Sequence, residues 1–190
     1  MSKITNIYVL LDTSYWSSRS ISKNQELISK ITKTLALLPK KTKMHIWGFN
    51  DKAIVINPRD RIIPKGNPNL ATGLEAIENA ILYERKYQDR QTRSVFLLFG
   101  GSRVLDGWQR RLDKLFKLKE FAFGHRYVIC KSIPEKFALK AYRKFTDSDS
   151  KIVAHFSESR LASLISTITA IERRNFKIST ANPRFANKFQ

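Results

Sequence analysis

Two stretches of the chain are apolar at nearly every position: IYVLL (residues 7–11) and SVFLLF (residues 94–99). A strand covered on both faces reads this way, with no polar alternation. Between and after them the period changes to that of helices. SKNQELISKITKTLALL (22–38) repeats Leu27, Ile31, Leu35 and Leu38 at helical spacing, with Ser22 as an N-cap and Pro39 as a stop. KMHIWGF (43–49) and KAIVI (52–56) predict two strands joined at Asn50-Asp51. RDRIIPKGNPNL (59–70) predicts an irregular loop. It feeds a helix with Leu70, Leu74, Ile77 and Ile81 inward. Gly100-Gly101 follows the second apolar strand, and a helix then turns Trp108, Leu112, Leu115 and Phe116 inward. HRYVIC (125–130) is a further strand. PEKFALKAYRKF (134–145) is a helix with Phe137, Tyr142 and Phe145 on one side, and KIVAHF (151–156) is an edge strand. A closing helix over 158–174 carries Leu161, Leu164, Ile165, Ile168 and Ile171.

Strands alternating with helices predict an α/β fold: doubly wound, with a mostly parallel central sheet covered by helices on both faces. Ligands of such folds bind at the carboxyl ends of the strands. Three loops would meet there: after Leu11, around Gly66–Leu70, and after Phe99. The expected organisation is one domain over 1–174 and a tail over 175–190, where Lys177, Arg184 and Lys188 alternate with Phe176, Phe185 and Phe189.

The order of these pieces resembles a von Willebrand factor A domain, over about residues 4–172. Asp12-x-Ser14 after the first strand looks like the start of that family's Asp-x-Ser-x-Ser metal motif. HIWGFNDKAIVI is similar to its second and third strands, and GNPNLATGLEAIENAI to its threonine loop and following helix. SVFLLFGGSR resembles the strand that ends in Thr-Asp-Gly, and ALKAYRKFTDSDSKIVAHFSESRLASLISTI the closing helix–strand–helix. The resemblance implies a fold that mediates protein–protein contacts. In the family, three loops hold a magnesium-type ion, and an acidic group of the partner completes its shell.

The departures from the motif are at the metal. Asp12 and Ser14 match two ligand positions. Trp16 takes the second serine position with Ser17 beside it, Pro68 the threonine position with Thr72 nearby, and Gly100 the aspartate position with Asp106 six residues on. A hard cation takes about six oxygens. The expectation is therefore a degenerate site without a cofactor, magnesium being the ion a complete set would hold. Asp12 would then act as a turn residue, with Arg103 or Arg19 available to replace the cation's charge. Tyr15 and Trp16, residue types that anchor protein contacts, stand in the same loop.

Charge adds a second candidate surface. Lys and Arg number 35 against 16 acids, a net charge of +19 over 190 residues. Such a balance favours polyanionic partners, whether nucleic acid, an acidic protein face or a membrane surface. Arg110, Lys114 and Lys117 form one stripe at helical spacing, and Lys136, Lys140, Arg143 and Lys144 another. Arg59, Arg61 and Lys65 add a basic loop.

Catalytic patterns are thin. His45, His125 and His155 lie in or at strands, without a nucleophile or metal spacing. Gly100-Gly101 lacks the rest of any phosphate-loop pattern. Cys130 is the single cysteine, so no internal disulfide forms, and a buried thiol and a cytoplasmic location are expected. No apolar run approaches the ~20 residues of a membrane span, and the N-terminus reads as a strand rather than a signal peptide. Three functions stay open. The first is a non-catalytic interaction module, an adaptor or structural subunit bound to a protein partner in a larger assembly. The second is a nucleic-acid-binding subunit using the basic helices and tail. The third is an enzyme of phosphate-containing substrates.

Overall fold

The computed structural model describes residues 4–35, 42–57, 59–87, 92–130 and 133–153, together with Ser163 and Ser166. Two expectations lie outside the described residues: the closing helix over 158–174, apart from those two serines, and the basic tail.

The first apolar run forms β1 (Ile4–Asp12) and the second forms β4 (Thr92–Gly100). They pair in parallel, Ile7 opposite Val95 and Leu11 opposite Phe99, at the centre of a six-stranded sheet. β2 (Thr42–Phe49) joins the other side of β1, and β3 (Ala53–Val55) pairs antiparallel to β2 through a tight turn at Asn50–Lys52. β5 (His125–Cys130) and β6 (Ile152–Val153) extend the sheet beyond β4, both parallel. The order is β3-β2-β1-β4-β5-β6. This is the doubly wound, mostly parallel α/β sheet the sequence predicts.

Alternation along the strands assigns the two faces. Tyr8, Leu10, Phe96, Leu98, Val128 and Cys130 meet α2 (Leu70–Tyr87), α3 (Trp108–Leu115) and α5 (Lys136–Thr146). Ile7, Val9, Leu11, Val95, Leu97 and Phe99 meet α1 (Ile21–Leu35) through Ile21, Leu27, Ile28 and Ile31. The four predicted inward residues of α2 are all buried. Cys130 is buried as expected, and burial pushes its thiol up to about 12. No helix among the described residues is long and apolar enough to cross a membrane.

Four details differ from the sequence reading. α1 starts at Ile21, one residue before the expected Ser22 cap, and the carbonyl of Ser20 accepts the Asn24 N–H. β3 has three residues rather than five, and Ile54 and Val55 on it are exposed. α3 ends at Leu115, because Lys117 and Leu118 donate to carbonyls three residues back and tighten the turn. Phe116 still packs against the core from that turn, ahead of the short α4 (Lys119–Ala122). Phe137 is 43% exposed, because Ala138, Ala141, Tyr142 and Phe145 make the face of α5 that meets the sheet.

One polar cluster fixes α2 to the sheet. Glu84 is buried and accepts hydrogen bonds from the Tyr8 hydroxyl (2.9 Å), His45 Nε2 (3.0 Å) and the Asn6 amide. Tyr8 and His45 are cross-strand neighbours, and their rings stack at 5.4 Å, with Phe96 on the other side of Tyr8 at 5.0 Å. His45 is thus structural. Burial pushes the Glu84 carboxyl up, but the bonds from His45 and Tyr8 outweigh it and hold the group below its ordinary value. A carboxyl depressed in the folded state stabilises above its unfolded pKa, and that gain is lost as pH falls through the folded value. Glu84→Ala is expected to lower unfolding stability by about 2 kcal/mol, since buried donors lose their acceptor. Urea unfolding from pH 3 to pH 7 checks both points: about pH 4.5 is where the wild type should begin to lose this contribution, and Glu84→Gln should lack that dependence.

Candidate functional site

β1 and β4 end side by side, so the loops that leave them start from one place. Backbone hydrogen bonds then tie the loops together. Tyr15 N–H donates to Gly66 O, Lys65 N–H to Thr13 O, and Leu105 N–H to Pro68 O. The three loops expected to meet do meet. A fourth joins them after β5, where Glu135 N–H donates to Ser102 O.

Asp12 closes β1 and is buried. Its Oδ1 accepts the Ser14 N–H at 2.9 Å, the turn-capping role expected of it. Its Oδ2 and the Ser14 hydroxyl are buried without a partner in hydrogen-bond geometry. Burial pushes the Asp12 carboxyl up, and nearby donors of Ser14, Gly101 and Ser17 offset part of that.

The other positions of the metal motif offer a cation little. Trp16 is half exposed, and Ser17 turns its hydroxyl to the Ser14 carbonyl. Pro68 has no side-chain oxygen, and its carbonyl accepts from both Leu70 and Leu105. The Thr72 hydroxyl, on the first turn of α2, donates to Asn50 O and Asn69 O. Asp106 is exposed and binds the N–H of Gly107. A Cβ at Gly100 would lie 2.4 Å from the Tyr142 hydroxyl, which itself donates to Gly101 O at 2.8 Å. A Cβ at Gly101 would lie 2.4 Å from Asp12 Oδ2. Two side-chain oxygens, from Asp12 and Ser14, are therefore left for an ion that takes about six. No group of three His, Cys, Asp or Glu side chains that could hold a metal exists among the described residues.

Arg103, one of the two arginines expected near Asp12, is elsewhere. Arg103 lays its guanidinium 4.0 Å over the Trp16 ring and pairs with Glu135. Its attraction to the aromatic face and to a carboxylate on α5's threshold outcompetes an already covered Asp12. Arg19 lines a cleft of about 670 Å³ with Tyr15, Trp16, Ser18, Gly101 and Ser102.

The basic stripes change on folding. Arg110, Lys114, Lys136 and Lys140 are exposed on α3 and α5 and have no ion pair among the described residues. Lys117 is exposed but lies past the end of α3, so the first stripe is broken. Arg143 pairs with Asp149 at 2.8 Å, and Lys144 with Asp113 at 2.6 Å across α5 and α3. Arg111 reaches Glu75 and Glu78 on α2. For Lys144 and Arg111 the partners are more than thirty residues away, and for Arg143 the partner lies past the end of its helix, which is why helical spacing alone hid them.

Sequence reasoning missed the apolar rim. Ile63, Leu105 and Ile133 are exposed on the loops after β3, β4 and β5, and Phe137 on the first turn of α5, at the end of the sheet that carries Tyr15 and Trp16. Ile63, Leu105 and Ile133 are apolar residues in segments that read as loops, while Phe137 falls on the helical side predicted to carry Tyr142 and Phe145.

Close packing at Gly100 makes a direct prediction. Gly100→Ala is expected to destabilise by about 1–3 kcal/mol through overpacking, and Tyr142→Phe by about 1 kcal/mol through the lost bond to Gly101. The pair Gly100→Ala with Tyr142→Ala should cost less than the sum of the two single changes, since the second removes the group that the first strikes. Denaturant midpoints of the three variants and the double variant measure this.

No protein-family pattern matches the chain, and no curated protein sequence matches it. Two solved structures of proximal thread matrix protein 1 from the mussel byssus share its fold, with TM-scores of 0.59 and 0.58. They are 13% and 14% identical to it and match 90% and 88% of its length. The chain spans about half of theirs, 46% and 45%. At that identity the likeness establishes the fold: an α/β sheet arranged as in a thread matrix protein.

Proposed function

We propose that the protein is a non-catalytic interaction module, a von Willebrand factor A-like domain with a degenerate metal site, acting as an adaptor or structural subunit within a larger assembly. One observation carries this reading: Tyr15, Trp16, Ile63, Leu105 and Ile133 on the strand-end loops and Phe137 on the first turn of α5 stand exposed, with Tyr15 and Trp16 at 66% and 48%. Exposed aromatic and aliphatic groups gathered on one face mark a protein contact surface. The structural likeness to a matrix protein of the mussel byssus supports it at the level of fold. The same end, where a doubly wound enzyme would keep its chemistry, presents Asp12 buried against its own loop and no histidine or cysteine lining the cleft. A cytoplasmic setting belongs to the proposal, in keeping with one buried thiol.

A second reading keeps Arg110, Lys114, Lys136 and Lys140, which are exposed on α3 and α5, as a nucleic-acid surface. The two separate by salt. A nucleic-acid complex weakens steeply as salt rises. A protein complex captured from native lysate survives nuclease and loses its partner when Tyr15 and Trp16 are both changed to Ala.

Metal independence follows from the same reading. The melting temperature should be the same in millimolar magnesium and in EDTA. Asp12 has a raised carboxyl pKa, so its contribution is present below the unfolded pKa and is lost as pH rises through the folded one. Asp12→Asn keeps the oxygen that accepts the Ser14 N–H. It should therefore match or exceed the wild type in stability at neutral pH, with its relative advantage fading in acid. Magnesium-dependent melting that disappears in Asp12→Asn is the result that would reverse this assignment.

A further inference from the structure

The sheet ends on β3, and no strand pairs with its outer side among the described residues. Asn50 N–H donates to Lys52 O at 3.0 Å, and Ile56 N–H to Ile46 O at 3.1 Å. Bonded pairs alternate along an antiparallel ladder, so between these two the pair that bonds is Gly48 with Ile54. Ala53 and Val55 therefore turn their N–H and C=O groups away from β2. Neither makes another backbone bond among the described residues. Val55 is 80% exposed, so this edge is open to solvent.

A cleft of about 390 Å³ lies beside that edge. Ile54, Ile56, Ile62 and Ile63 give it an apolar lining, with Arg61 and Lys65 among them. Ile54 is 47% exposed and Ile63 70%. The loop that carries Ile62 and Ile63 is held in place from three sides. Gln25 on α1 donates to Asp60 O at 2.7 Å, Asp60 N–H donates to Asn57 O, and Lys65 N–H donates to Thr13 O. A wall fixed before binding spares a ligand the cost of ordering it.

We propose that β3 takes up an extended segment of a partner protein as a further strand, bonded through Ala53 and Val55, with an aliphatic side chain of that segment seated in the cleft against Ile54 and Ile63. The proposal rests on the interaction-module reading but uses the sheet edge rather than Tyr15 and Trp16. An extended chain is the occupant whose backbone donors and acceptors alternate as those of the edge do, and a pocket beside the edge reads its side chains. Charge then chooses among extended chains. Lys52, Arg59, Arg61 and Lys65 are exposed around the edge and the cleft, against Asp51 and Asp60. A second copy would add the same cations to this border, and each chain carries +19. A strand with acidic flanks is complementary instead.

The probe is an acetylated, amidated, fluorescent peptide in which valine and threonine alternate over six residues between paired glutamates, titrated into the full chain. It should bind, and saturating peptide should slow amide exchange at Ala53 and Val55 while leaving Ile54, already bonded to β2, as it was. The same peptide N-methylated at all six central residues should bind about tenfold more weakly, and Val55→Pro should weaken the parent peptide by a similar factor. Val55 makes no ladder bond to β2, so proline there spares the β2–β3 pairing. Ile63→Ser carries the same test without touching the backbone and should weaken binding severalfold. Tyr15→Ala with Trp16→Ala should leave peptide binding unchanged. The proposal is overturned if the wild type does not bind the peptide, if the N-methylated peptide binds equally well, if exchange at Ala53 and Val55 is not slowed, or if neither Val55→Pro nor Ile63→Ser weakens binding. It is equally overturned if sedimentation equilibrium shows a dimer that Val55→Pro dissolves, since a second copy then holds the edge, or if a single-stranded oligonucleotide displaces the peptide. A lysate partner lost on Tyr15→Ala with Trp16→Ala, beside a peptide that fails to bind, would end the strand proposal and leave the interaction module standing. A peptide bound at the edge, with no lysate partner that depends on Tyr15 and Trp16, would sustain the strand site and remove the loop face.

Discussion

Strands β1 and β4 pair in parallel through the middle of the sheet, and neither exposes a side chain from Ile7 to Leu11 or from Val95 to Phe99. Burial on two faces is what the rest of the structure depends on. Each fully buried Leu, Ile or Phe contributes about 1.5–3 kcal/mol, so a polar group within either run would forfeit that and add the penalty of an unmet hydrogen bond. The apolar runs stop at Asp12 and Gly100, where the chain leaves the sheet for the loops. Because the strands are parallel and in register, both stops fall at one end of the molecule. The loops that follow are forced together, and every candidate for function at the strand ends is a consequence of that coincidence.

At this end the chain fills its own space. Tyr142, buried on α5, brings its hydroxyl to the Gly101 carbonyl and leaves no room for a side chain at Gly100. Gly101 in turn lies close over Asp12. An aspartate in the place of Gly100 could not coexist with Tyr142 in this packing. Close packing at Gly100 and the burial of Tyr142 are thus two sides of one arrangement. What the loops present outward is different chemistry: aromatic rings, aliphatic side chains, and an arginine stacked on Trp16.

The large positive charge divides into two parts on folding. Arg111, Arg143 and Lys144 find acids on neighbouring elements and serve as ties between helices. Arg126 is buried, donating to the carbonyls of Phe121 and Ala122 at the end of α4. These cations belong to the fold. Arg110, Lys114, Lys136 and Lys140 keep their charge exposed on α3 and α5. Net charge alone could not distinguish the groups, because pairing depends on which helices the sheet sets side by side.

The sequence by itself determined the alternation of strands and helices, the doubly wound sheet and most of its core, because buried runs and helical stripes are local patterns that burial imposes on composition. It also placed Asp12, Ser14, Tyr15 and Trp16 at a strand end. It misjudged element edges, such as the end of α3 and the start of α1, where single hydrogen bonds decide. Tertiary structure alone decided that Arg103 lies on Trp16 with Glu135 rather than on Asp12, that Tyr142 closes Gly100, and that apolar side chains of the strand-end loops and of the first turn of α5 stand exposed. Those outcomes depend on distances between groups that are tens of residues apart along the chain. No periodicity records such distances; the register of β1 against β4 and the packing of α5 set them.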